Sequence, residues 1–455
     1  MAVASQLEGQ SSISVRRSSG TVIGRRFRLL CALTAYAVAL HWTYQTKISP
    51  AFGYLGLHYR EPNLVYYFLA FGLVCGTAFL MPSRLCRPSD FILWVLFVMA
   101  TVPSILVPQY GDIITEGRSL ELAIYVALSF GLVVLLARRG PQRLIKRIIV
   151  PPLLVWLVVA LISVGTYGYL LYTTGLSFKF VSLGAVRDLR FAYREQIVAT
   201  GPALGYLVRL QGNVVNPLIM TLGVYSRRWA LVIVGTVGQL LIFSVTGYKL
   251  TILSSGALVA VAVLFRIRRQ PPGQMILVGT MVSTIVALIV DKIQGGLLYT
   301  EIFVDRLLLA PGYLTAAHVM VFQGKPKAEW GYSFMAPFVH YPYKDTPDFI
   351  VGRVFFGSAA TSANANFFGD GYSNLGYPGM FIEALALVVI LWLIDSAGRH
   401  LPLPVSALIL LVPTLALVNS SVFTSLLTDG YLAAIVIMAC LPPGGWGLPL
   451  GGVTE

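Results

Sequence analysis

Ile148-Ile-Val-Pro-Pro-Leu-Leu-Val-Trp-Leu-Val-Val-Ala-Leu-Ile-Ser-Val-Gly-Thr-Tyr-Gly-Tyr-Leu-Leu-Tyr172 contains no charged residue. At about 1.5 Å of rise per residue it is long enough, as a helix, to cross the roughly 30 Å of a bilayer's hydrocarbon. With no water there, its backbone polar groups must be satisfied within the segment, which a helix does. Working outward from this run, comparable windows fall near 29–46, 63–82, 91–110, 119–137, 203–224, 229–245, 249–266, 274–291, 377–395, 403–419 and 425–442. The expectation is an all-α polytopic membrane protein with about twelve transmembrane helices. Composition agrees: 56% of the 455 residues are hydrophobic and 11% charged, with mean hydropathy +0.77. Soluble domains carry about 25% charged residues, so a soluble globular enzyme is excluded.

Lys plus Arg number 33 and Asp plus Glu 19, a net charge of +14. Cations beside spans mark the cytoplasmic side. Starting from a cytoplasmic tail over 1–28 that feeds an uncleaved first span, alternate short loops separate cleanly. Arg84 and Arg87, the group Arg138, Arg139, Arg143, Lys146 and Arg147, then Arg227 and Arg228, Arg266, Arg268 and Arg269, and Arg399 fall inside. Asp112, Glu116 and Asp429 fall outside. An even number of spans makes 443–455 a cytoplasmic C-terminal tail, and 29–442 reads as a single transmembrane domain. Two outer loops, about 173–202 and 292–376, are long enough to escape the charge rule. Their cations need another explanation.

In the first loop, Arg187, Arg190 and Arg194 recur at spacings of three and four, one face of a helix. Pairing with Asp188 and Glu195 makes this a solvated surface helix. Left free, the three guanidinium forks suit a diphosphate, or anionic lipid headgroups. Arg209, Gln211 and Asn213 stand inside the next apolar run, where polar groups face either a cavity or a neighbouring helix. Lys249, after Thr246-Gly247-Tyr248, has the same two readings.

In the second loop, Arg306 and His318 are twelve residues apart, so a helix continuing past Pro311 would hold both over one cavity, with Tyr313 between them. His340 lies among Phe338, Tyr341, Pro342 and Tyr343. Either histidine suits a general base for a sugar hydroxyl, and either equally suits a structural contact. Ala363-Asn-Ala-Asn366-Phe-Phe-Gly-Asp370-Gly-Tyr-Ser-Asn-Leu-Gly-Tyr-Pro-Gly379 is dense in residues that bind sugar hydroxyls and that also make turns. Cys31, Cys75, Cys86 and Cys440 form no CxxC, and HExxH, DxD, GxGxxG and GxxxxGK[ST] are missing. Neither a metal, another cofactor nor nucleic acid is expected.

Several patterns occur in order. Phe52-Gly-Tyr54-Leu-Gly56 comes first, then Pro88-Ser89-Asp90 with Trp94 and Pro103. Arg190 and Gly201 enclose ten residues, Asp305-Arg306 precedes Pro311-Gly312, and Ala365-Asn366 to Gly376 leads into a span. Together they resemble the O-antigen polymerase family, the Wzy-type oligosaccharide repeat-unit polymerases. In the second outer loop a further Arg-x10-Gly is missing, since neither Arg306 nor Arg353 has Gly eleven positions on.

The resemblance implies a GT-C-like glycosyltransferase of the bacterial inner membrane with a periplasmic active site. Its donor would be an undecaprenyl-diphosphate-linked glycan, transferred to the non-reducing end of another lipid-linked repeat unit. A chain-length regulator and a flippase would be partners. Arg187, Arg190, Arg194, Arg306 and Arg353 would hold the diphosphate, with Gly201 as the motif glycine. Asn366, Asp370 and Tyr313 would bind sugar, and the base would be one of His318, His340, Glu195 and Asp305. An O-antigen ligase, with the same donor and a lipid A core acceptor, shares this chemistry. A transporter or flippase of lipid-linked sugars would instead line its spans with charge.

Overall fold

The computed structural model describes residues 24–141, 143–174, Tyr193 and 202–443. Among these there is no β-strand, and the apolar windows of the sequence fall largely on helix, the window 425–442 being split at 428–430. In chain order the helices are α1 (24–52), α2 (Leu64–Leu80), α3 (Pro88–Tyr110), α4 (Glu116–Ala137), α5 (Pro152–Thr174), and α6, which runs through Pro202–Leu210, Gln211–Val215 and Asn216–Tyr225. There follow α7 (Trp229–Thr246), α8 (Lys249–Ile267), α9 (Gln274–Gln294), and α10, formed by Thr300–Leu309 and Ala310–Phe322. The last are α11 (Pro347–Phe355), α12 (Phe367–Leu375), α13 (Tyr377–Gly398), α14 (Leu403–Leu417), α15 (Val422–Leu427) and α16 (Tyr431–Cys440). Seven of the described helices, α3, α4, α5, α7, α8, α9 and α13, are long and apolar enough to cross a membrane.

Helix α3 is the axis of the bundle. Every residue of its apolar stretch is buried, and it packs against α2, α4, α9, α10, α13 and α14. Its start is fixed by chemistry legible in Pro88-Ser89-Asp90. Pro88 stands at the first helical position and Asp90 Oδ2 accepts from the Arg87 and Cys86 amides. Asp395 of α13 then accepts from the Ser89 amide at 2.9 Å and its hydroxyl at 2.7 Å, tying two spans together.

Four of the described helices contain a widened π segment, and each of these segments ends two residues before a proline. The pairs are Tyr44–Ile48 with Pro50, Phe97–Thr101 with Pro103, Gln211–Val215 with Pro217, and Thr300–Leu309 with Pro311. A proline in a helix removes one N–H and collides with the carbonyl four residues back, and a widened turn there relieves both. The carbonyls so loosened need donors in a dry environment. Tyr36 Oη donates to Val98 O at 3.0 Å, Gln239 Nε2 to Gly212 O at 2.7 Å, and Asn419 Nδ2 to Arg306 O at 3.2 Å. Each donor comes from another helix or loop, so the prolines both bend the spans and stitch them together.

The segment 292–376, which reads as an outer loop, carries α10, α11 and α12. Asp291 Oδ1 and Oδ2 accept from the amides of Tyr299 and Thr300, which starts α10. The helix then runs past Pro311 against the second half of α3, close enough that a Cβ on Gly312 would lie 2.4 Å from Pro103 O. Asn366 caps α12 through the amides of Phe368 and Gly369.

Candidate functional site

A cavity of about 590 Å³ opens at one end of the bundle. Its lining comes from the start of α6, the α7–α8 hairpin, α10, the chain around α11 and α12, and the chain joining α14 to α16. In α6, α7, α8 and α14 the lining residues lie away from the helix ends beside Arg227, Arg266 and Arg399.

One wall is cationic. Arg209 of α6 pairs with Asp429 at 3.0 Å, and its Cζ lies 5.9 Å over the Tyr248 ring. Asn213, one turn further, donates to Asp429 O at 3.2 Å. Lys249 is the first residue of α8, where the helix dipole is positive, and pairs with Glu301 at 2.7 Å. Arg306 lies on the π segment of α10 and forms no ion pair with any described residue. Behind it, Asp305 receives the Tyr313 hydroxyl, while its Oδ1 is buried without a hydrogen-bond partner. Burial pushes the Asp305 carboxyl up to about 7, against the opposing pull of Arg306 and Lys249.

The same cavity is also lined by acceptors and hydroxyls: Tyr332, Asp348, Ser362, Asn364 and Asp370. Asp370 accepts from the Tyr332 hydroxyl at 3.1 Å and from Asn374 Nδ2 at 2.9 Å. Asp348 accepts from the hydroxyls of Thr346 and Ser362. Both carboxyls are thus oriented by neutral donors. Burial raises the Tyr332 phenol far above its ordinary range, so it stays a donor.

The residues expected from sequence divide into three groups. Arg306, His318 and Asp370 line this one cavity, together with Arg209, Asn213 and Lys249. His318 is buried, with Nδ1 2.7 Å from Ser373 Oγ and Nε2 2.9 Å from Ala363 O, and burial depresses its basicity. Both ring nitrogens are therefore engaged in holding α10 to α12.

Elsewhere, Asn366 is buried in helix contacts with Ser104, Thr315 and Pro311, and Tyr313 in its contact with Asp305. Arg353 pairs with Asp345 and His340 is exposed; neither lines the cavity. Arg187, Arg190, Arg194, Glu195 and Gly201 lie outside the described residues.

Sequence reading passed over Asp348, Tyr332, Asn419 and Glu383, and took Asp429 only as an outer-loop acid. Glu383, an acid within an apolar run, carried a signal: intramembrane charge is costly. Asp348 and Tyr332 had none, being ordinary residues of a polar segment.

No family model, no curated protein and no solved structure matches this chain.

Proposed function

We propose that this protein is a membrane glycosyltransferase that polymerises lipid-linked oligosaccharide repeat units. The observation that carries the reading is that one cavity is lined both by Arg209, Lys249 and Arg306 and by Tyr332, Asp348, Asn364 and Asp370. A glycan leaving a polyprenyl diphosphate needs fixed positive charge where the diphosphate's charge develops, and low dielectric strengthens that stabilisation. An incoming sugar hydroxyl needs an acceptor for its proton and polar groups to orient its ring. The order of the sequence patterns, from Phe52-Gly-Tyr54 to Ala365-Asn366, supports the Wzy-type assignment.

In this reading the chain has twelve spans in a GT-C-like arrangement in a bacterial inner membrane, with both termini cytoplasmic. The cavity then belongs to the periplasmic side, because its lining in α6, α7, α8 and α14 lies away from the cytoplasmic cations. Arg187, Arg190 and Arg194 complete the clamp on an undecaprenyl diphosphate. A flippase delivers the donor and a chain-length regulator limits the product.

The test is a gel of surface polysaccharide from a strain lacking the gene. Single repeat units on the lipid A core are expected. Core devoid of glycan, with long polymer held on the polyprenyl carrier, would make the protein a ligase. Intermediates trapped on the cytoplasmic side would make it a transporter.

A further inference from the structure

Glu383 lies in α13 with 0% of its surface exposed. Its Oε2 accepts from the Val422 amide at 2.9 Å at the start of α15. That contact uses one oxygen, and a glutamine would make it equally well. Oε1 is buried with no hydrogen-bond partner, as is the nearby Trp330 Nε1. The principal electrostatic neighbour of Glu383 is Asp370, which lines the cavity. An anchoring role for Glu383 leaves a bare buried oxygen beside a second carboxyl, an arrangement that would cost several kcal/mol if both were ionised. A buried carboxyl adjoining a second one at the cavity edge avoids that cost when the two hold one proton between them.

We propose that Asp370 and Glu383 form one proton-holding pair, in which Asp370 is the base for the acceptor hydroxyl and Glu383 its positioning residue. This rests on the glycan-transfer reading above. The acceptor hydroxyl oxygen bonds to the donor's anomeric carbon, and the bond from that carbon to the diphosphate oxygen breaks. The electron pair leaves with the diphosphate toward Arg306, and the hydroxyl proton passes to Asp370. Nothing is oxidised or reduced. Asp370 suits the task because both oxygens are oriented, one by Tyr332 and one by Asn374, while His318 has its ring nitrogens engaged.

Tyr332 feels both carboxyls, His318 feels Asp370 and Asp348, and Arg209, Lys249, Arg306, Asp348 and Asp429 line the same cavity as Asp370. Arg118 and Glu121 of α4 act instead on Tyr372 and Tyr377.

The first measurement needs no turnover: infrared difference spectra of the full-length protein in lipid nanodiscs at neutral pH. A protonated-carboxyl stretch that disappears in Glu383→Gln and moves in Asp370→Asn is expected. A spectrum unchanged by both substitutions overturns the pair. The second is turnover against pH with a lipid-linked repeat unit as donor and acceptor. Asp370→Asn should lose at least about 100-fold in kcat with donor KM unchanged. In Glu383→Gln the acid limb should move up by about half a unit to one unit, because a carboxamide donates more weakly to Asp370 than a carboxyl does. Tyr332→Phe should move it the same way, and it decides the matter should Glu383→Gln fail to insert. A limb unmoved by the substitutions, or an active Asp370→Asn, overturns the base. A wild-type protein that makes no polymer yet shows the carboxyl band sinks the base role together with the transfer reading, and leaves the pair standing.

Discussion

Two sets of charges lining the cavity are held by opposite means. On the cationic wall Arg209 and Lys249 are each matched by a carboxylate from another part of the chain, Asp429 and Glu301, and only Arg306 is left without an ionic partner among the described residues. Asp348 and Asp370 are instead held by neutral hydroxyls and an amide. A paired cation is affordable near the membrane but has spent much of its field on its partner. A carboxylate oriented by neutral donors keeps its charge. The difference singles out Arg306 as the cation available to a ligand and makes Arg209 and Lys249 cross-links that also line the site.

The sharpest way to break this comparison is to remove Arg306. Arg306→Ala should lower polymer formation by about 10²- to 10³-fold at unchanged protein level, the usual loss when one fixed donor to developing charge is deleted. Arg306→Lys should restore only part of it, because the planar fork is lost. Titrating repeat units into membranes carrying each variant, and reading polymer by gel, checks both. Equal activity of Arg306→Ala and wild type would mean the free cation is not the one that matters.

Next in size is the carboxyl beneath it. With its folded-state value raised to about 7, Asp305 binds more protons folded than unfolded between about pH 4 and 7. Stability therefore falls as pH rises through that window and levels off above it. Asp305→Asn should flatten that slope and raise stability above pH 7, by something on the order of 3 kcal/mol. Thermal unfolding in detergent from pH 4 to 8 measures it, and a slope surviving in Asp305→Asn would assign it to other groups.

How much of this was legible beforehand differs by level. Span positions follow from length and apolarity, and the apolar windows fall largely on helix. Hydropathy does not say what a helix faces: α3 and α5 read alike, yet all of the apolar stretch of α3 is buried in protein against 11% for α5. Lipid and protein interior are equally apolar, so composition cannot separate them. Arg306 and His318 were readable as neighbours from helical spacing past Pro311. Asp429 and Glu301 as partners of Arg209 and Lys249 were not, because those contacts join residues 220 and 52 positions apart. The lining of acceptors and hydroxyls was half read: Asp370 stood out in a cluster of Asn, Gly and aromatics, while Asp348 and Tyr332 gain meaning only from the way α11 and α12 fold onto α10.

Arg209 and Asp429 test the cross-linking role. Asp429 is 8% exposed and Arg209 36%, so this pair is less costly to break than the roughly 3–5 kcal/mol of a fully buried one, about 2 kcal/mol. Arg209→Met alone leaves a buried carboxylate and should lower Tm. Adding Asp429→Leu should recover most of the loss, since an apolar pair of similar volume replaces a paired charge at little net cost. A double variant as unstable as the single one would show that the Asp429 carboxyl matters through Ser425 and not through Arg209.

The smallest effect belongs to Lys249 and Glu301, and it separates a cross-link from a binding group most finely. Glu301 is 42% exposed, so the pair adds between zero and about 1 kcal/mol to stability. Glu301→Gln should leave Tm nearly unchanged and free Lys249, whose position on the first turn of α8 adds a helix dipole to its charge. Donor KM should then fall by about two- to fivefold, the gain from unmasking one partly screened cation. Lys249→Gln should raise it by a similar factor, with kcat less affected than in Arg306→Ala. If Glu301→Gln instead raises donor KM, Glu301 serves the cavity by holding Lys249 in place, and the wall works as a fixed array whose geometry outweighs its net charge.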